Sequence, residues 1–487
     1  MLLASVTLAV VLLAGGCSEN EPVLTQTSPA KPNFVFILSD DMRKDDLKYM
    51  PKTRALLQEK GISFTNIYVS NPLCCPSRAT IMRGQYAHNT GVWTNPNSTT
   101  GGWQAYKQNG NEKDTVATRL HNAGYRTALI GKYLNGYNNT RNVPQGWDKW
   151  FADFILSSRS FDYFNYDIND NGTIRHFGVR DHDYLTDVLR RETRSFIGAS
   201  VAQGKPFFAY VAPIAPHGGG PPAPRDEHTY DGVRGPRLPS FNEADVSDKP
   251  PWIRKLPRLS DRKKASINKR NEDRAERLQA LDDLVEGVVD KLRDSGQLKN
   301  TYIVFTSDNG NHMGEHRIPS SKGRPYEEDV NMPLLVRGPG VAAGSTTAKL
   351  ALNTDFFPTF TDLAGIQTPN YVDGRSLRPI LKGSTATAWR TAILLEHRNR
   401  YPGHVQSSYA SGSFYGIRTS EGMKYIEYSL GPQELYDLNT DPYELTSSRE
   451  APSPPKGLDT RLEALKGCAG GECRAAENRP YSTDQNT

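Results

Sequence analysis

The sequence predicts an α/β fold, one large, mostly parallel sheet flanked by helices, with a smaller C-terminal antiparallel sheet plus a helix. Three observations carry that expectation. From Asn33 onward, apolar runs of strand length alternate with stretches of helical periodicity, the rhythm of a parallel sheet with crossover helices. Each of the longer runs stops at turn-forming or charged residues. After about residue 385 the rhythm changes to short, closely spaced runs, TAILLEH, FYGIRT, MKYIEYS and ELYDL, followed by the helical RLEAL.

At 487 residues the chain exceeds one ordinary core. We therefore expect a catalytic-size domain over 33–384 and a small α+β subdomain over 385–487. A hydrophobic content of 37% with 23% charged residues and a net charge of +5 is that of a soluble globular protein. The opening run MLLASVTLAVVLLAGGCSEN is apolar to Ala14, and small residues then lead to Cys17. That is the pattern of an export signal, residues 1–17, ending at a cysteine that is lipidated in bacterial lipoproteins. The run is shorter than the roughly 20 residues a bilayer span needs, so a lipid on Cys17 is the one membrane link expected. Residues 18–32 read as a polar tether. An exported protein, secreted or held at the bacterial cell surface, meets an oxidising compartment, where Cys468 and Cys473 pair across GCAGGEC.

Ligands in parallel sheets bind beyond the carboxyl ends of the strands, so the residues after each run matter most. Phe34–Leu38 stops at Ser39, Asp40 and Asp41; Thr127–Ile130 stops at Gly131 and Lys132; Phe207–Val211 leads into APIAPHG with His217. The run Tyr302–Thr306 follows an amphipathic helix with Leu278, Leu281, Val285, Val288 and Leu292 at helical spacing, and it ends in Ser307, Asp308, Asn309 and Gly310. Taken singly, these are ordinary turn formers and a solvated lysine. Together, Asp40, Asp41, Asp308 and the amide oxygen of Asn309 propose a hard-cation site for Ca²⁺, with Mg²⁺ as the alternative. His312 and His316 in NHMGEH have the spacing of a helical zinc pair, but Gly310 and Gly314 place them in a loop.

The stretch NPLCCPSRATIM carries two of the chain's five cysteines side by side. Neighbouring Cα atoms lie about 3.8 Å apart, and disulfides usually want roughly 4.4 to 6.8 Å, which argues against a bridge. Pro76 suits the first turn of a helix, placing Cys74 just before a helix N-terminus, where a thiolate or an oxyanion is favoured. Two readings stay open: Cys74 is a thiol nucleophile beside Arg78, or it is not a cysteine in the mature protein.

Cys74-Cys75-Pro76-Ser77-Arg78 resembles C-x-P-S-R, the signature of the type I, formylglycine-dependent sulfatases of the alkaline phosphatase superfamily. The resemblance continues in order through NFVFILSDD, GKYLNGY, GWDKW, YLTDVL, APHG, DDLVEGVVDKL, YIVFTSDNG, YEEDVNMPLLVRGPG, DFFPTFTDLAGI, VDGRSLRPIL and ELYDLNTDPYEL. PLCCPSRA and GKYLN are most similar to the N-acetylglucosamine-6-sulfatase-like and arylsulfatase branch. The resemblance implies an alkaline-phosphatase-like fold and oxidation of Cys74 to Cα-formylglycine (3-oxoalanine) by a formylglycine-generating enzyme. It implies Asp40, Asp41, Asp308 and Asn309 as Ca²⁺ ligands together with the modified Cys74, and Arg78 as the residue that holds the formylglycine. Lys132, His217 and Lys322 are implied to bind the sulfate and assist the leaving group. The pattern breaks where many sulfatases read GKWHLG: Leu134 replaces the histidine, with Asn135 next to it. His88, in the same helical region as Cys74, is the expected substitute base, and no serine after GWDKW matches the one that contacts sulfate in the family.

These residues would support hydrolysis of a sulfuric ester, in a sulfated sugar or an aryl sulfate, with a hydrated formylglycine as nucleophile and cations around the sulfuryl oxygens. Two alternatives remain at this level: a phosphodiesterase or phosphonate monoester hydrolase of the same superfamily, and a non-catalytic surface lipoprotein that binds sulfoglycans. Residues 218–272 interrupt the α/β rhythm as an irregular insertion, and Arg254 to Arg270 hold eight Lys or Arg against one Asp. That run is either a cationic rim for a polyanionic glycan or a solvated loop. The absence of interleaved aromatics in it argues against nucleic acid as partner.

Overall fold

Alternate side chains of the first strand, β1 (Asn33–Ser39), feed two different cores. Phe34, Phe36 and Leu38 enter one, and Val35 and Ile37 the other. The structure, a computed structural model, describes residues 31–138, 140–154, 163–384, 388–399, 412–448 and 457–480. The export signal, Cys17 and residues 18–30 of the tether lie outside them.

The strands continue as β2 (Ile62–Phe64), β3 (Ile67–Tyr68), β4 (Arg126–Gly131), β5 (Lys149–Asp153), β6 (Tyr166–Asp170), β7 (Thr173–Phe177) and β8 (Phe207–Ala212). After a long helical stretch come β9 (Thr301–Ser307), β10 (Leu334–Arg337), β11 (Ser345–Thr347) and β12 (Ala351–Leu352). Among the described residues they form a ten-stranded sheet in the order β11-β2-β10-β9-β1-β8-β4-β5-β6-β7, with β12 and β3 paired separately. The central strands β9-β1-β8-β4-β5 run parallel, and antiparallel pairs lie toward both edges. All five central strands therefore end at one edge of the sheet.

Helices cover both faces. Cys74–Arg83, Val116–Asn122 and Phe356–Leu363 fill the first core, and Leu185–Ala202 and Asp261–Asp294 the second. In the last of these, Leu278, Leu281, Val285, Val288 and Leu292 are all fully buried, as their spacing predicts, and each contributes roughly 1.5–3 kcal/mol by leaving water. Ser260 caps this helix, accepting from the Lys263 amide at 3.4 Å. Its start at Asp261 means that residues 261–272 of the basic segment are helical, not irregular as expected. A capped turn before an amphipathic run nucleates earlier than the apolar spacing alone suggests.

The C-terminal runs form β13 (Ala392–His397), β14 (Phe414–Thr419), β15 (Met423–Tyr428) and β16 (Gln433–Asp437), an antiparallel sheet in chain order. Helix Leu458–Lys466 buries Leu458, Leu462 and Leu465 in the same core, and Cys468 and Cys473 form a disulfide behind it. A buried ionic knot ties this region to the helix Phe356–Leu363: Arg390 reaches Asp355 Oδ1 at 2.5 Å and Glu477 Oε2 at 3.1 Å, all three side chains fully buried. Arg390→Ala leaves the buried Asp355 without its ion-pair partner and Glu477 with Arg375 alone, 2.8 Å away, so unfolding in urea should show a loss of about 3–5 kcal/mol. An unchanged midpoint would mean that the knot carries no net stability.

Candidate active site

The register Ser39↔Ser307 between β1 and β9 sets Asp40 beside Asp308 at the shared carboxyl edge. The Asp308 amide donates to the Ser39 carbonyl at 3.1 Å, and the Asp41 amide to Asp308 Oδ1 at 3.2 Å. Asp41 has φ 62°, a left-handed conformation that costs a non-glycine residue energy. The strained turn carries two consecutive carboxylates into one site, where an extended strand would send them to opposite faces. β4 ends next to β8, and Lys132 follows it, with its amide bonded to the Ala212 carbonyl at 2.8 Å. His217 arrives five residues beyond β8.

Cys74 begins the helix Cys74–Arg83, one residue further inside than the sequence suggests, because Leu73 is the extended residue before it. Pro76 sits in the first turn as expected. The helix ends at Gly84 with φ 66°, where a Cβ would meet Val372 Cγ1 at 2.8 Å. Asn353 donates to Ser77 Oγ at 3.1 Å.

Ligand-type atoms of Asp40, Asp41, Cys74 and Asp308 all lie within 4.8 Å of one another, and all four residues are buried. Cys74 Sγ, which stands where a formylglycine oxygen would be, is 3.5 Å from Asp40 Oδ1 and 4.0 Å from Asp41 Oδ1. Three cations balance the three carboxylates. Arg78 donates through Nε to Asp308 Oδ2 at 2.8 Å and through Nη1 to the Lys132 carbonyl at 2.9 Å. Lys132 Nζ bonds Asp40 Oδ2, and Lys322 Nζ bonds Asp41 Oδ1 and lies 2.7 Å from Cys74 Sγ. His217 Nε2 is 3.5 Å from Asp41 Oδ2, and its Nδ1 is 2.7 Å from the Gly218 carbonyl.

Burial opposes ionisation of Asp40, but Lys132 and the neighbouring cations outweigh it and hold this carboxyl far below its usual range. At Asp308 burial wins, aided by Asp40, and its proton affinity is raised. Burial, then Asp40, pushes the Cys74 thiol up to about 12. A thiol so reluctant to ionise is a poor nucleophile, which removes support from the thiol-nucleophile reading.

The residues fit a hard cation. Asn309 Nδ2 donates to Asp41 Oδ1 at 2.6 Å and to the Gly310 carbonyl at 2.9 Å, while its Oδ1 is buried with no hydrogen-bond partner among the described residues. An orphaned amide oxygen beside three carboxylates is an all-oxygen donor set of the Ca²⁺ or Mg²⁺ type.

The sulfatase family pattern matches residues 32–366. The chain belongs to the sulfatase family. A second pattern, the C-terminal region of N-sulphoglucosamine sulphohydrolase, matches residues 314–464. Human N-acetylglucosamine-6-sulfatase is 32% identical over 506 aligned residues, covering 95% of this chain and 89% of the human one. The extracellular sulfatase SULF-1 homolog of Drosophila melanogaster is 37% identical over 379 residues, and this chain spans about a third of that longer protein (76% of this chain, 33% of the fly protein). Among solved structures, BT4656 in complex with its substrate D-glucosamine-2-N,6-O-disulfate superposes with a TM-score of 0.76 at 26% identity, covering 91% of this chain and 98% of that one.

This sulfatase lacks the family histidine at position 134, and His88 does not replace it. His88 Nδ1 lies 2.9 Å from Glu396 Oε2 and Nε2 2.9 Å from the Cys468 carbonyl. Both ring nitrogens face acceptors, so His88 is a tie between β13 and the disulfide turn. Burial disfavours its charge, yet Glu396 outweighs this and the imidazole is pushed up to about 8. A raised value means that the stabilisation is complete below the unfolded value near 6.5 and is lost as pH rises through about 8. The sulfatase should therefore lose melting temperature between pH 6.5 and 8.5, and His88→Gln should flatten that part of the profile; an identical slope in the variant would refute the tie. Leu134 is fully buried in the first core. Part of the stretch after GWDKW, residues 155–162, lies outside the described residues. His312 and His316 sit in a loop, as expected, with Nδ1 atoms 2.8 Å from Asp329 Oδ1 and 2.7 Å from Glu243 Oε2.

One buried carboxyl near the site escapes the sequence reading. Asp153 closes β5, whose register pairs Ala152 with Gly131 and so brings Asp153 level with Lys132. Burial, against the pull of Lys132 and Arg78, pushes it up to about 6. Its signal is an acidic residue ending an apolar run, the pattern that marks Asp40.

Proposed function

We propose that this sulfatase removes sulfate from a 6-O-sulfated amino sugar, with Cys74 converted to formylglycine and a calcium ion held by Asp40, Asp41, Asp308 and Asn309. The observation that carries this reading is the convergence of three carboxylates and Cys74 within 4.8 Å, ringed by Lys132, Lys322, Arg78 and His217. Asp40, Asp41, Asp308 and Asn309 would hold the cation, which would supply Lewis acidity toward a hydroxyl at position 74 and positive charge toward the sulfuryl oxygens. Arg78 fixes Asp308 and the backbone at Lys132 from a fully buried position. Lys132 and Lys322 supply preorganised positive charge where the sulfuryl oxygens gather electron density. Burial disfavours the charge of Lys322, but Asp41 outweighs it and keeps the lysine protonated, its proton affinity raised, which makes it a fixed cation for the sulfuryl oxygens; Lys322 or His217 is placed to protonate the leaving oxygen. His217 is kept neutral mainly by burial, which suits an acceptor of hydrogen bonds from substrate or from the position-74 hydroxyl.

The sugar class rests on two of the relatives: one is named N-acetylglucosamine-6-sulfatase and the other is bound to a 6-O-sulfated glucosamine. Export is supported by the opening signal-like run and by the extracellular relative; among the described residues no helix is long and apolar enough to cross a membrane. Lipidation of Cys17 at a bacterial cell surface is part of the same reading. The deciding assay compares glucosamine 6-sulfate, its 2- and 4-sulfated counterparts, 4-nitrophenyl sulfate and a phosphate diester, using enzyme from a host that makes formylglycine. We expect hydrolysis of sulfate esters with preference for the 6-sulfate. Clear preference for the phosphate diester would sink the sulfatase chemistry, and preference for another ring position would sink the substrate.

A further inference from the structure

The segment from Trp252 to Arg270 alternates anchors and charges. Trp252, Ile253, Leu256, Leu259 and Ile267 are buried, whereas Arg254, Lys255, Arg258, Arg262 and Lys263 are exposed. Among the described residues none of these five cations has a carboxylate within ion-pair distance, whereas Lys264 pairs with Asp261 at 3.1 Å and Lys269 with Asp273 at 3.1 Å. Arg237, exposed and stacked over Phe241, joins them by donating to Asn268 Oδ1 at 2.6 Å. The display is rigid: Asn242 Oδ1 accepts from the Leu259 amide at 2.6 Å, and the Leu256 carbonyl accepts from Arg317 at 2.9 Å.

Two features set this apart from an ordinary solvated face. Arg262, Lys263 and Lys264 occupy the first turn of the 34-residue helix Asp261–Asp294, the positive end of its dipole, where cations lower helix stability and anions raise it. The patch is also hydrogen-bonded to the loop that carries Lys322. Arg270 donates to the Pro319 carbonyl at 3.0 Å, three residues before Lys322, and Arg317 from the same loop holds the Glu243 and Leu256 carbonyls. Chain and helix geometry place Arg262 and Lys263 within about 35 Å of Lys322.

We infer that Arg237, Arg254, Lys255, Arg258, Arg262 and Lys263 form a docking surface for the flanking sulfated units of a polysaccharide whose terminal or internal sulfate lies in the active site. This rests on the proposed sulfoglycan activity. A polyanion is the matching ligand, because exposed unpaired cations on a rigid frame attract extended charge at long range and release counterions on contact. Preanchored side chains also reduce the ordering that binding requires.

The test uses the full chain and the triple variant Arg258→Gln, Arg262→Gln, Lys263→Gln. On immobilised heparin, the variant should elute at clearly lower salt. With heparin-derived oligosaccharides, kcat/KM should fall about tenfold or more for long chains and stay within about twofold for a sulfated monosaccharide. Unchanged heparin elution overturns the docking surface, as does an equal loss on long and short substrates. Retention on double-stranded DNA as strong as on heparin overturns the assignment to sulfated glycans. Heparin elution needs no turnover, so it decides the surface even where the sulfatase reading fails in the ester assay.

Discussion

Replacing Cys74 by alanine should lower kcat on the order of 10⁴-fold or more, since in the proposed mechanism it removes the attacking group, while Cys75→Ser should keep kcat within a few-fold. The two neighbours differ in their surroundings. Cys74 faces Asp40, Asp41 and Lys322, whereas Cys75 is fully buried in the first core, its amide donating to Asn95 Oδ1 at 2.9 Å. Burying a serine hydroxyl at position 75 costs about 1–3 kcal/mol where it finds no partner, so that variant loses stability rather than chemistry. Intact mass of the peptide spanning both residues completes the experiment. We expect the mass of an aldehyde or its hydrate at Cys74 in active enzyme. Full activity from protein carrying an unmodified Cys74 thiol would sink the conversion, and equal loss of kcat in both variants would overturn the division of roles.

The parts of this site that can be read from sequence are those delivered by strand ends. Asp40, Lys132, His217 and Asp308 each follow an apolar run, and parallel strands end at a common edge by topology alone. Lys322 cannot be placed that way. It lies in the loop between β9 and β10, which has no periodicity, and the family resemblance alone points to it. Pairings across long sequence separations are equally invisible: Arg78 with Asp308, Lys132 with Asp40 and Lys322 with Asp41 depend on strand order and on the strained turn at Asp41. The helix starting at Asp261 shows the opposite limitation. Its continuous apolar stripe begins only at Leu278, with Ile267 isolated before it, so its charged first turns read as loop until Ser260 is seen to cap them. Asp153 follows the same strand-end rule as Asp40, but a lone acidic residue after a strand is ordinarily a turn former, and only the register beside Lys132 sets it apart.

Removal of the proposed cation should abolish turnover while leaving the fold largely intact. Asp40, Asp41 and Asp308 face Lys132, Lys322 and Arg78, so the stripped site is already close to neutral. That balance differs from small metal-dependent domains, in which unpaired ligands repel one another and the apo chain unfolds. Stability should fall only by the binding linkage, about 2.7 kcal/mol for a cation present at one hundred times its Kd. Chelation followed by thermal melting and re-addition reads both effects: activity lost and then restored by Ca²⁺, with Mg²⁺ weaker and Zn²⁺ ineffective, as the oxygen donors and the Asn309 amide oxygen require. Restoration by Zn²⁺ but not Ca²⁺ would overturn the donor-set argument. Outright unfolding of the chelated protein would show instead that the lysines do not neutralise the carboxylates. Asp308→Asn separates the two roles further, because it keeps the shape of the side chain but withdraws one charge from the cation and from Arg78, which is fully buried. It should weaken Ca²⁺ affinity and also cost stability in the absence of metal, since Arg78 then loses its charged partner. A variant that lost Ca²⁺ affinity with no loss of apo stability would mean that Arg78 is balanced by Asp40 alone, 3.8 Å away.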